Sequence, residues 1–282
     1  MTPTLAKPTC DHRYGAATYT GDMAINALVT PLLRHTLSAD VYKQLRDLLT
    51  NGQVMPGEHL SLRSIADALG VSVMPVREAV HRLVADQALE LSSNRALRVP
   101  MLTVSQFREI TCIRVNLESL ATARAATLFD EAGLQNVQAL HERFSHEISL
   151  KRPDASRLIA ANKELHFAVY RQAGMPMLQQ MIESLWLRIG PILNHDLRMG
   201  TSRVREKIPL DHHGRLVVAL KKKDAAAAVE ALRADIESAA DYIVSAGVLV
   251  ASDSAPEQPS AAVAAVTASS KAKAPTATRR RA

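Results

Sequence analysis

The chain has 282 residues, of which 47% are hydrophobic and 22% charged, and its formal net charge at pH 7 is +6. This length allows two domains, and the apolar content is sufficient for their cores. The two cysteines, Cys10 and Cys112, provide no disulfide framework, and the N-terminus lacks the pattern of a secretory signal. We therefore expect a cytoplasmic protein that is neither secreted nor inserted into a membrane.

The first part of the chain combines an unpatterned arm with one clear helix. Residues 1–35 have no usable periodicity apart from the short apolar run Ala24–Leu33, so we expect a flexible arm. In Ser38–Leu49, apolar residues share one helical face after a capping serine. This segment predicts a supporting helix for the domain that follows.

The stretch from Leu60 to Leu83 predicts two short helices joined by a tight turn. Apolar residues recur at helical spacing between Leu62 and Leu69, and Ser61 is placed to cap the first helix. Gly70 can adopt a positive φ after that helix, which allows Val71 to fold back between the two helices.

The second helix has one buried and one outward face. Ser72 is placed to cap it, and Pro75 is tolerated in its first turn, where the missing amide would have no helical partner. The predicted buried residues are Val76, Ala79, Val80 and Leu83, and the predicted outward residues are Val73, Met74, Arg77, His81 and Arg82. The outward face could lie in a DNA major groove.

A two-stranded wing is predicted after the second helix. Apolar residues alternate with polar ones on both sides of a turn at Ser92–Arg95. An ordinary helical pair with a hairpin remains an alternative, since this geometry also occurs in proteins that do not bind nucleic acid. Between Thr36 and Pro100 there are seven basic and seven acidic residues, so only the placement of the arginines can support DNA binding.

Four short motifs carry a family resemblance. They are V-Y-x-x-L-R at Val41–Arg46, P-G-E at Pro56–Glu58, I-A-x-x-L-G-V-S at Ile65–Ser72 and P-V-R-E-A at Pro75–Ala79. Together they resemble the winged helix of GntR-type bacterial transcription regulators. The resemblance covers the first third of the chain and implies binding to double-stranded operator DNA as a homodimer.

The resemblance also implies which residues contact DNA. Transferred position by position, the family's phosphate and base contacts fall on Arg63, Ser72, Val73, Met74, Pro75 and Arg77, with the wing tip at Asn94 and Arg95. Valine replaces the polar residue that relatives often carry at position 73, so we expect apolar contact with a thymine methyl there. The wing tip is less rich in glycine than is usual, although Arg95 suits a narrow minor groove.

From Thr103 to about Gly247 the pattern is helical throughout. Thr103 and Gln106 form a predicted capping box for a long first helix. Five further amphipathic segments follow, at Leu134–Ile148, Asp154–Gln172, Pro176–Leu193, about Val204–Leu220 and Asp224–Ser245. The predicted fold is therefore mainly α, with an N-terminal winged helix-turn-helix of three helices and a small β-hairpin, followed by an all-α antiparallel bundle.

Polar residues interrupt the apolar faces of this bundle at four positions. Asn162 and His166 lie one turn apart on one helix, and His213 and Asp235 lie on two later helices. Amide, imidazole and carboxylate groups from three helices could enclose a divalent cation. Buried polar residues that only satisfy one another would give the same pattern.

The second half of the chain resembles the FCD ligand-sensing domain of the FadR-like branch of the GntR family. The resemblance rests on R-x-x-x-E at Arg114–Glu118, N-x-x-x-H at Asn162–His166 and the segment from His213 to Asp224. In many members an Asp and three His bind a metal, and the resemblance assigns those ligands to Asn162, His166, His213 and Asp235. One carboxylate has become an amide and one imidazole a carboxylate, so the total ligand charge is kept. Zinc, nickel and manganese all remain open.

A small carboxylic acid is the expected effector of such a site. We expect Arg114 to bind it through a bidentate pair, with Tyr170 and Arg188 as weaker candidates for effector contacts. The alternative for these residues is structural pairing within the bundle. His212 adjoins His213, and only the helical register favours the latter as a ligand.

Two other functions are compatible with this pattern. A metal-dependent hydrolase could use two His and one Asp, but Glu164 projects from a different helical face and no acid is placed to activate water. A metal-free sensor could bind its effector directly through Asn162 and Asp235.

The tail is rich in Ala, Ser, Pro and Thr, and its charged residues are mainly basic. We expect disorder there, and a solvated Arg279–Arg281 cluster rather than a specific phosphate contact. The predicted organisation is an arm (1–35), a winged helix (36–100), an effector-binding and dimerisation domain (101–250) and a basic tail (251–282). The predicted function is a ligand-responsive transcription regulator, a repressor of metabolic genes rather than an enzyme.

Overall fold

The computed structural model describes residues 37–91 and 96–251. The predicted N-terminal arm, the wing-tip residues Asn94 and Arg95, and the tail beyond Ala251 lie outside the described residues. The helices are α1 Leu37–Thr50, α2 Leu62–Leu69, α3 Val73–Ala85, α4 Val104–Leu128, α5 Glu131–Ile148, α6 Ala155–Gln172, α7 Pro176–Met199, α8 Ser202–Arg205, α9 Ile208–Lys221 and α10 Ala225–Ser245. The strands are β1 His59–Leu60, β2 Glu90–Leu91 and β3 Leu97–Arg98.

Helices α1–α3 form the predicted helix-turn-helix and its support. Ser61 caps α2 by accepting a hydrogen bond from the Ser64 amide, and Gly70 ends α2 with φ +65°. Ser72 occupies the cap position of α3, but its side chain makes no capping hydrogen bond, contrary to expectation. The core contains apolar residues from α1, α3 and the sheet, including Val41, Leu45, Val76, Leu83, Leu89 and Leu97.

The predicted two-stranded wing is present as β2 and β3, and the structure adds a third strand, β1, to its sheet. Their order is β1-β3-β2 and both pairings are antiparallel. Arg98 lies opposite His59 on one side and Glu90 on the other, and it forms an ion pair with Glu90. Strand β1 has only two residues, which is too short to produce a recognisable alternation of apolar and polar side chains.

The bundle begins at the predicted capping box, because Thr103 and Gln106 exchange hydrogen bonds with each other's backbone amides. The helix expected over about 204–220 is instead divided into α8 and α9, and Lys207 between them has φ +58°. Pro209 explains the break, since its ring would clash with the carbonyl of Arg205 in a continuous helix. No helix among the described residues is long and apolar enough to cross a membrane.

Helix α1 of the winged helix packs directly on α7 of the bundle. The Asn194 side chain donates a buried hydrogen bond of 2.9 Å to the Thr50 carbonyl. Lys163 on α6 donates to the Thr50 hydroxyl at 2.6 Å. Leu187 on α7 is only 3% exposed and belongs to the core of the winged helix. The two parts of the chain therefore share a packed and hydrogen-bonded interface.

Candidate effector site and nucleic-acid interface

The predicted DNA-contacting residues on α2 and α3 are mostly exposed. Arg63, Ser72 and Arg77 are exposed, and Met74 is 57% exposed. Val73 and Pro75 are half-buried, and Val73 packs against the core of the domain. The sequence predicted Val73 to be mostly outward. This prediction is only partly correct, because the first turn of α3 packs against the core of its own domain.

Arg82 is exposed, as predicted, and it also contacts α1. Its guanidinium carbon lies 4.0 Å from the centroid of the Tyr42 ring on α1. An arginine stacked on an aromatic ring is held by a cation–π interaction. Arg82 therefore joins α3 to α1 and is not directed only toward solvent.

Three helices bring His166, His213 and Asp235 together inside the bundle. The Nε2 atom of His166 lies 3.3 Å from Oδ2 of Asp235. The Nε2 atom of His213 lies 3.6 Å from the same oxygen. All three residues are buried, and Asn162 lines the same cavity one turn before His166. Three of the four residues that the sequence selected for a metal, Asn162, His166 and Asp235, therefore line one small cavity, and His213 faces Asp235 beside it.

The charge state of this cluster suits a cation. Burial lowers the pKa of His213 to about 4, so its ring is neutral near pH 7 and has a nitrogen lone pair available. Burial acts to raise the pKa of Asp235, but the two imidazoles and the Arg203 guanidinium outweigh it, so this pKa stays well below its usual range. Neither ring nitrogen of His213 has a hydrogen-bond partner among the described residues.

A second group of buried residues, centred on Glu118, contacts the Nδ1 side of the His166 ring. Glu118 accepts hydrogen bonds from Arg114 at 2.6 and 3.2 Å, from the Tyr170 hydroxyl at 2.5 Å and from the Trp186 indole at 3.1 Å. The Tyr170 oxygen also lies 3.2 Å from Nδ1 of His166. Burial, followed by the charge of Glu118, raises the pKa of Tyr170 well above its usual value, so this phenol keeps its proton.

The three predicted effector contacts differ in how they lie relative to this cavity. Arg114 lines the cavity, but it pairs with Glu118 and is therefore already committed to a carboxylate. Tyr170 does not line the cavity, because its hydroxyl is directed to Glu118 and His166. Arg188 is not a lining residue either, since it lies two positions after Trp186 on α7 and faces another direction.

Arg203 is the cavity residue that sequence reasoning missed. It is buried and donates to Oδ1 of Asp235 at 2.9 Å and to the Ser238 hydroxyl at 3.1 Å. It lies on α8, a helix of four residues that breaks the expected longer helix. No periodicity could select Arg203, because only the tertiary structure brings it to α10.

The structure also shows which of the two adjacent histidines faces the cluster and where Glu164 lies. His213 faces the cluster, whereas His212 is half-buried and contacts Arg215 on its own helix. Glu164 forms a surface ion pair of 2.7 Å with Arg143. Glu164 therefore cannot act as a base for the cluster.

The cavity is small. Its volume is about 40 Å³, and it is lined by polar groups and by Trp186, Leu193, Leu197, Ile236 and Ala239. That is room for an ion with about one or two water molecules, whereas drug-sized ligands occupy about 300–1,000 Å³. A larger ligand would require movement of the lining helices.

Comparison with known families and proteins identifies both parts of the chain. Residues 37–99 match the model for bacterial regulatory proteins of the gntR family, and residues 109–238 match the FCD domain. The HTH-type transcriptional regulator McbR of Escherichia coli is 34% identical over 197 residues, which cover 69% of this chain and 87% of McbR. The chain belongs to the GntR family of transcription regulators.

Other comparisons agree with this assignment. A solved structure of E. coli McbR/YncC superposes with a TM-score of 0.69 at 30% identity and covers 76% of this chain and 99% of that one. The gluconate operon transcriptional repressor of Bacillus subtilis is 24% identical over 206 residues, or 71% of this chain and 82% of the repressor. These relatives of the GntR regulator are transcription factors and not enzymes, and the hydrolase alternative has no support.

Proposed function

We propose that this GntR regulator is a cytoplasmic homodimeric repressor that leaves its operator when a small carboxylate binds the helical domain. In this proposal residues 36–100 bind a pseudo-palindromic operator of metabolic genes, and residues 101–250 bind the effector and hold the dimer together. The observation that carries the sensing function is the buried His166–His213–Asp235 cluster.

DNA binding is assigned to the exposed side of α2 and α3. Arg77 lies in the second turn of α3 and is directed to solvent, as a residue that contacts a base or phosphate in the major groove must be. Arg63 and Ser72 suit phosphate contacts, and Met74 suits an apolar contact with a base. Asn94 and Arg95 would reach the neighbouring minor groove.

The hydrogen bonds of the His166 imidazole are one argument for a divalent metal in the buried cluster. The Tyr170 hydroxyl donates its proton to Glu118, so its oxygen is left to accept one from Nδ1 of His166. Nε2 of the same ring faces the Asp235 carboxylate at 3.3 Å. Without a proton on Nε2, the nitrogen lone pair and the carboxylate would hold a divalent cation between them, whereas a protonated Nε2 would donate to the carboxylate instead.

The second imidazole strengthens the case for a metal. His213 faces the same Asp235 oxygen at 3.6 Å and is neutral near pH 7. The ligand atoms of His166, His213 and Asp235 lie within 4.8 Å of one another, and two imidazoles with a carboxylate are a donor set that a divalent metal would accept. Zinc, nickel or manganese would be held by His166, His213 and Asp235, with Asn162 as a further oxygen donor. The metal would act as a Lewis acid that binds the carboxylate of the effector.

Arg203 and Arg114 both line the cavity and are the candidates to hold the effector anion. Each already pairs with a carboxylate, Arg203 with that of Asp235 and Arg114 with that of Glu118. The effector anion would therefore share a guanidinium group with one of these carboxylates. The cavity volume of about 40 Å³ leaves little room beside a metal, so even an acid of few carbon atoms would require movement of the lining helices.

The same helices that line the cavity also hold the winged helix. Leu193 lines the cavity on α7, and the next residue, Asn194, binds the Thr50 carbonyl of α1. Asn162 lines it on α6, and the next residue, Lys163, binds the Thr50 hydroxyl. A ligand that shifts α6 or α7 therefore changes the relative stability of two arrangements of the DNA-binding domain, which is what a regulated affinity requires.

The test combines thermal unfolding with operator titration. The protein is screened with zinc, nickel and manganese and with small carboxylic acids, before and after chelation, and active combinations are titrated against promoter DNA. An acid that stabilises the protein only with metal, and that weakens DNA binding, supports the whole proposal. Acid binding that survives chelation would remove the metal from it, and an acid that leaves operator affinity unchanged would contradict the sensing function.

A matched pair of variants assigns the site. His213→Ala removes a metal ligand, whereas His212→Ala changes its half-buried neighbour. We expect only the first to abolish stabilisation by metal. Equal loss in both variants would overturn the ligand assignment.

A further inference from the structure

The Asp235 carboxylate is shared between the histidine cluster and an arginine. Its Oδ2 atom lies 3.3 Å from Nε2 of His166 and 3.6 Å from Nε2 of His213. Its Oδ1 atom accepts a hydrogen bond of 2.9 Å from Nη2 of Arg203. The same nitrogen donates to the Asp235 carbonyl at 3.3 Å and to the Ser238 hydroxyl at 3.1 Å. Arg203 is therefore held at the carboxylate oxygen that the imidazoles do not face.

The charged side chains around the cavity balance one another. Arg114 and Arg203 both line the cavity, and Asp235 is the one carboxylate among the described lining residues. Glu118 is fully buried and pairs with Arg114 at 2.6 Å. Asn162, the other polar donor of the cluster, is neutral. Two guanidinium groups and two carboxylates therefore sum to zero when both imidazoles are neutral, as metal ligands must be.

A divalent cation added to this cluster brings two positive charges that no described side chain around the cavity compensates. Arg203 is only 6% exposed and Asp235 8%, so water has little access to either charge. An uncompensated charge in a buried site is costly, and a carboxylate that already binds a guanidinium attracts a second cation less strongly. The cluster therefore binds a metal weakly unless further negative charge enters with it.

We infer that Arg203 makes metal binding in this cluster conditional on a bound dianion. The inference rests on the metal-dependent sensor proposed above and specifies how its site is controlled. A dicarboxylate would neutralise the metal and restore the sum of charges to zero, whereas a monocarboxylate leaves one positive charge uncompensated. The ligand class is therefore a small dicarboxylic acid. Metal and acid each raise the affinity for the other by the same factor.

The position of Arg203 in the chain also suits the entry of an acid. Arg203 lies on α8, which has four residues and lies between Gly200 with φ +56° and Lys207 with φ +58°. A helix this short has little stability of its own, so its displacement costs less than that of a long helix. Movement of α8 would enlarge the cavity on the side where Arg203 meets Asp235.

Equilibrium dialysis tests the dependence on a dianion. The protein is dialysed against zinc, nickel or manganese in a buffer without carboxylates, then with malonate or with acetate, and metal is measured in both chambers. We expect malonate to raise the metal affinity about tenfold or more and acetate to have a smaller effect. Malonate also binds metal in solution, and this competition opposes the expected increase. An equal effect of acetate would overturn the requirement for a dianion.

Variants at position 203 separate the charge of the arginine from its packing. Arg203→Gln keeps an amide donor for Asp235 but removes the positive charge, so metal should bind about tenfold more tightly without malonate. Malonate should then add little. Arg203→Lys keeps the charge and should keep the dependence on malonate. Arg205→Gln, at an exposed position of the same helix, is the matched control and should behave as the original protein does.

A second variant changes the charge of the cluster from another helix. Asn162→Asp adds a carboxylate on α6 and leaves Arg203 in place, so it tests the charge balance even if Arg203→Gln does not fold. We expect it to bind metal about tenfold more tightly than the original protein in the buffer without carboxylates.

The outcomes separate this inference from the proposed function. Tight metal binding without carboxylates that neither Arg203→Gln nor Asn162→Asp changes overturns the inference and leaves the metal-dependent sensor intact. Metal that binds no variant, with or without malonate, overturns both the inference and the metal site. If metal and malonate bind cooperatively but operator affinity does not change, the inference is supported and the sensing function fails.

Discussion

Gly190 lies where α7 makes its closest approach to α1. A Cβ atom added there would lie 2.8 Å from the Leu49 carbonyl oxygen and 3.0 Å from the Cα of Thr50. Both are backbone atoms of the DNA-binding domain, so they cannot move aside as a flexible side chain could. We predict that Gly190→Ala pushes the winged helix away from the bundle.

The magnitude follows from two opposing effects. Alanine in the interior of a helix is favoured over glycine by about 0.5–1 kcal/mol. Overpacking at a close contact costs about 1–3 kcal/mol. The net effect of Gly190→Ala is therefore a destabilisation of about 0–2.5 kcal/mol. At Gly214 in α9 an added Cβ would be 3.9 Å from the nearest atom, so Gly214→Ala retains the favourable helix effect and stabilises the protein by about 0.5–1 kcal/mol.

The assay is denaturant unfolding of both variants, together with operator titration with and without effector. Pro191 adds a second source of strain, because a Cβ before proline disfavours the helical backbone. Gly190→Ala is therefore also measured in a Pro191→Ala background, which removes that strain and leaves the contact with α1. We expect the destabilisation to persist there and the effect of effector on DNA binding to decrease.

Two results would refute this reasoning. If Gly190→Ala stabilises the protein as much as Gly214→Ala does, the close contact has no energetic consequence. If Gly190→Ala destabilises the protein but leaves the response to effector intact, the α1–α7 contact is not the route of coupling.

Three further predictions concern the two sites. Arg77→Ala should weaken operator binding by about 1–3 kcal/mol if Arg77 contacts a base. Arg233→Ala, at an exposed position of α10, is the control and should leave operator affinity unchanged. Equal operator affinities of the two variants would reject the assignment. Tyr170→Phe should weaken metal binding about 10–100-fold in a chelator competition, because His166 loses the acceptor that orients its proton. Tyr242→Phe is its control, and unchanged metal affinity in Tyr170→Phe would contradict the proposed tautomer. Metal at about 100 times its dissociation constant should add about 2.7 kcal/mol to the free energy of unfolding, and chelation or His213→Ala should remove this increment. A stability that does not respond to chelation would count against a metal.

The sequence by itself determined the fold class and the family. The caps at Ser61 and Thr103, the turn at Gly70 and the apolar stripes of the long helices are local signals, because each depends on residues within a few positions of one another. The structure confirms these elements, and the motifs between Val41 and Ala79 were sufficient for the GntR resemblance. The break at Pro209 was also local, but the helical periodicity on both sides concealed it.

Only the tertiary structure decided how the buried polar groups are paired. The sequence selected Asn162, His166, His213 and Asp235, but not Arg203, which reaches Asp235 across 32 positions of the chain. It also assigned Arg114 to the effector, whereas the folded protein pairs this arginine with Glu118. A buried charge must find a partner because desolvation is costly. The identity of that partner depends on which helices pack together, and no local pattern contains that information.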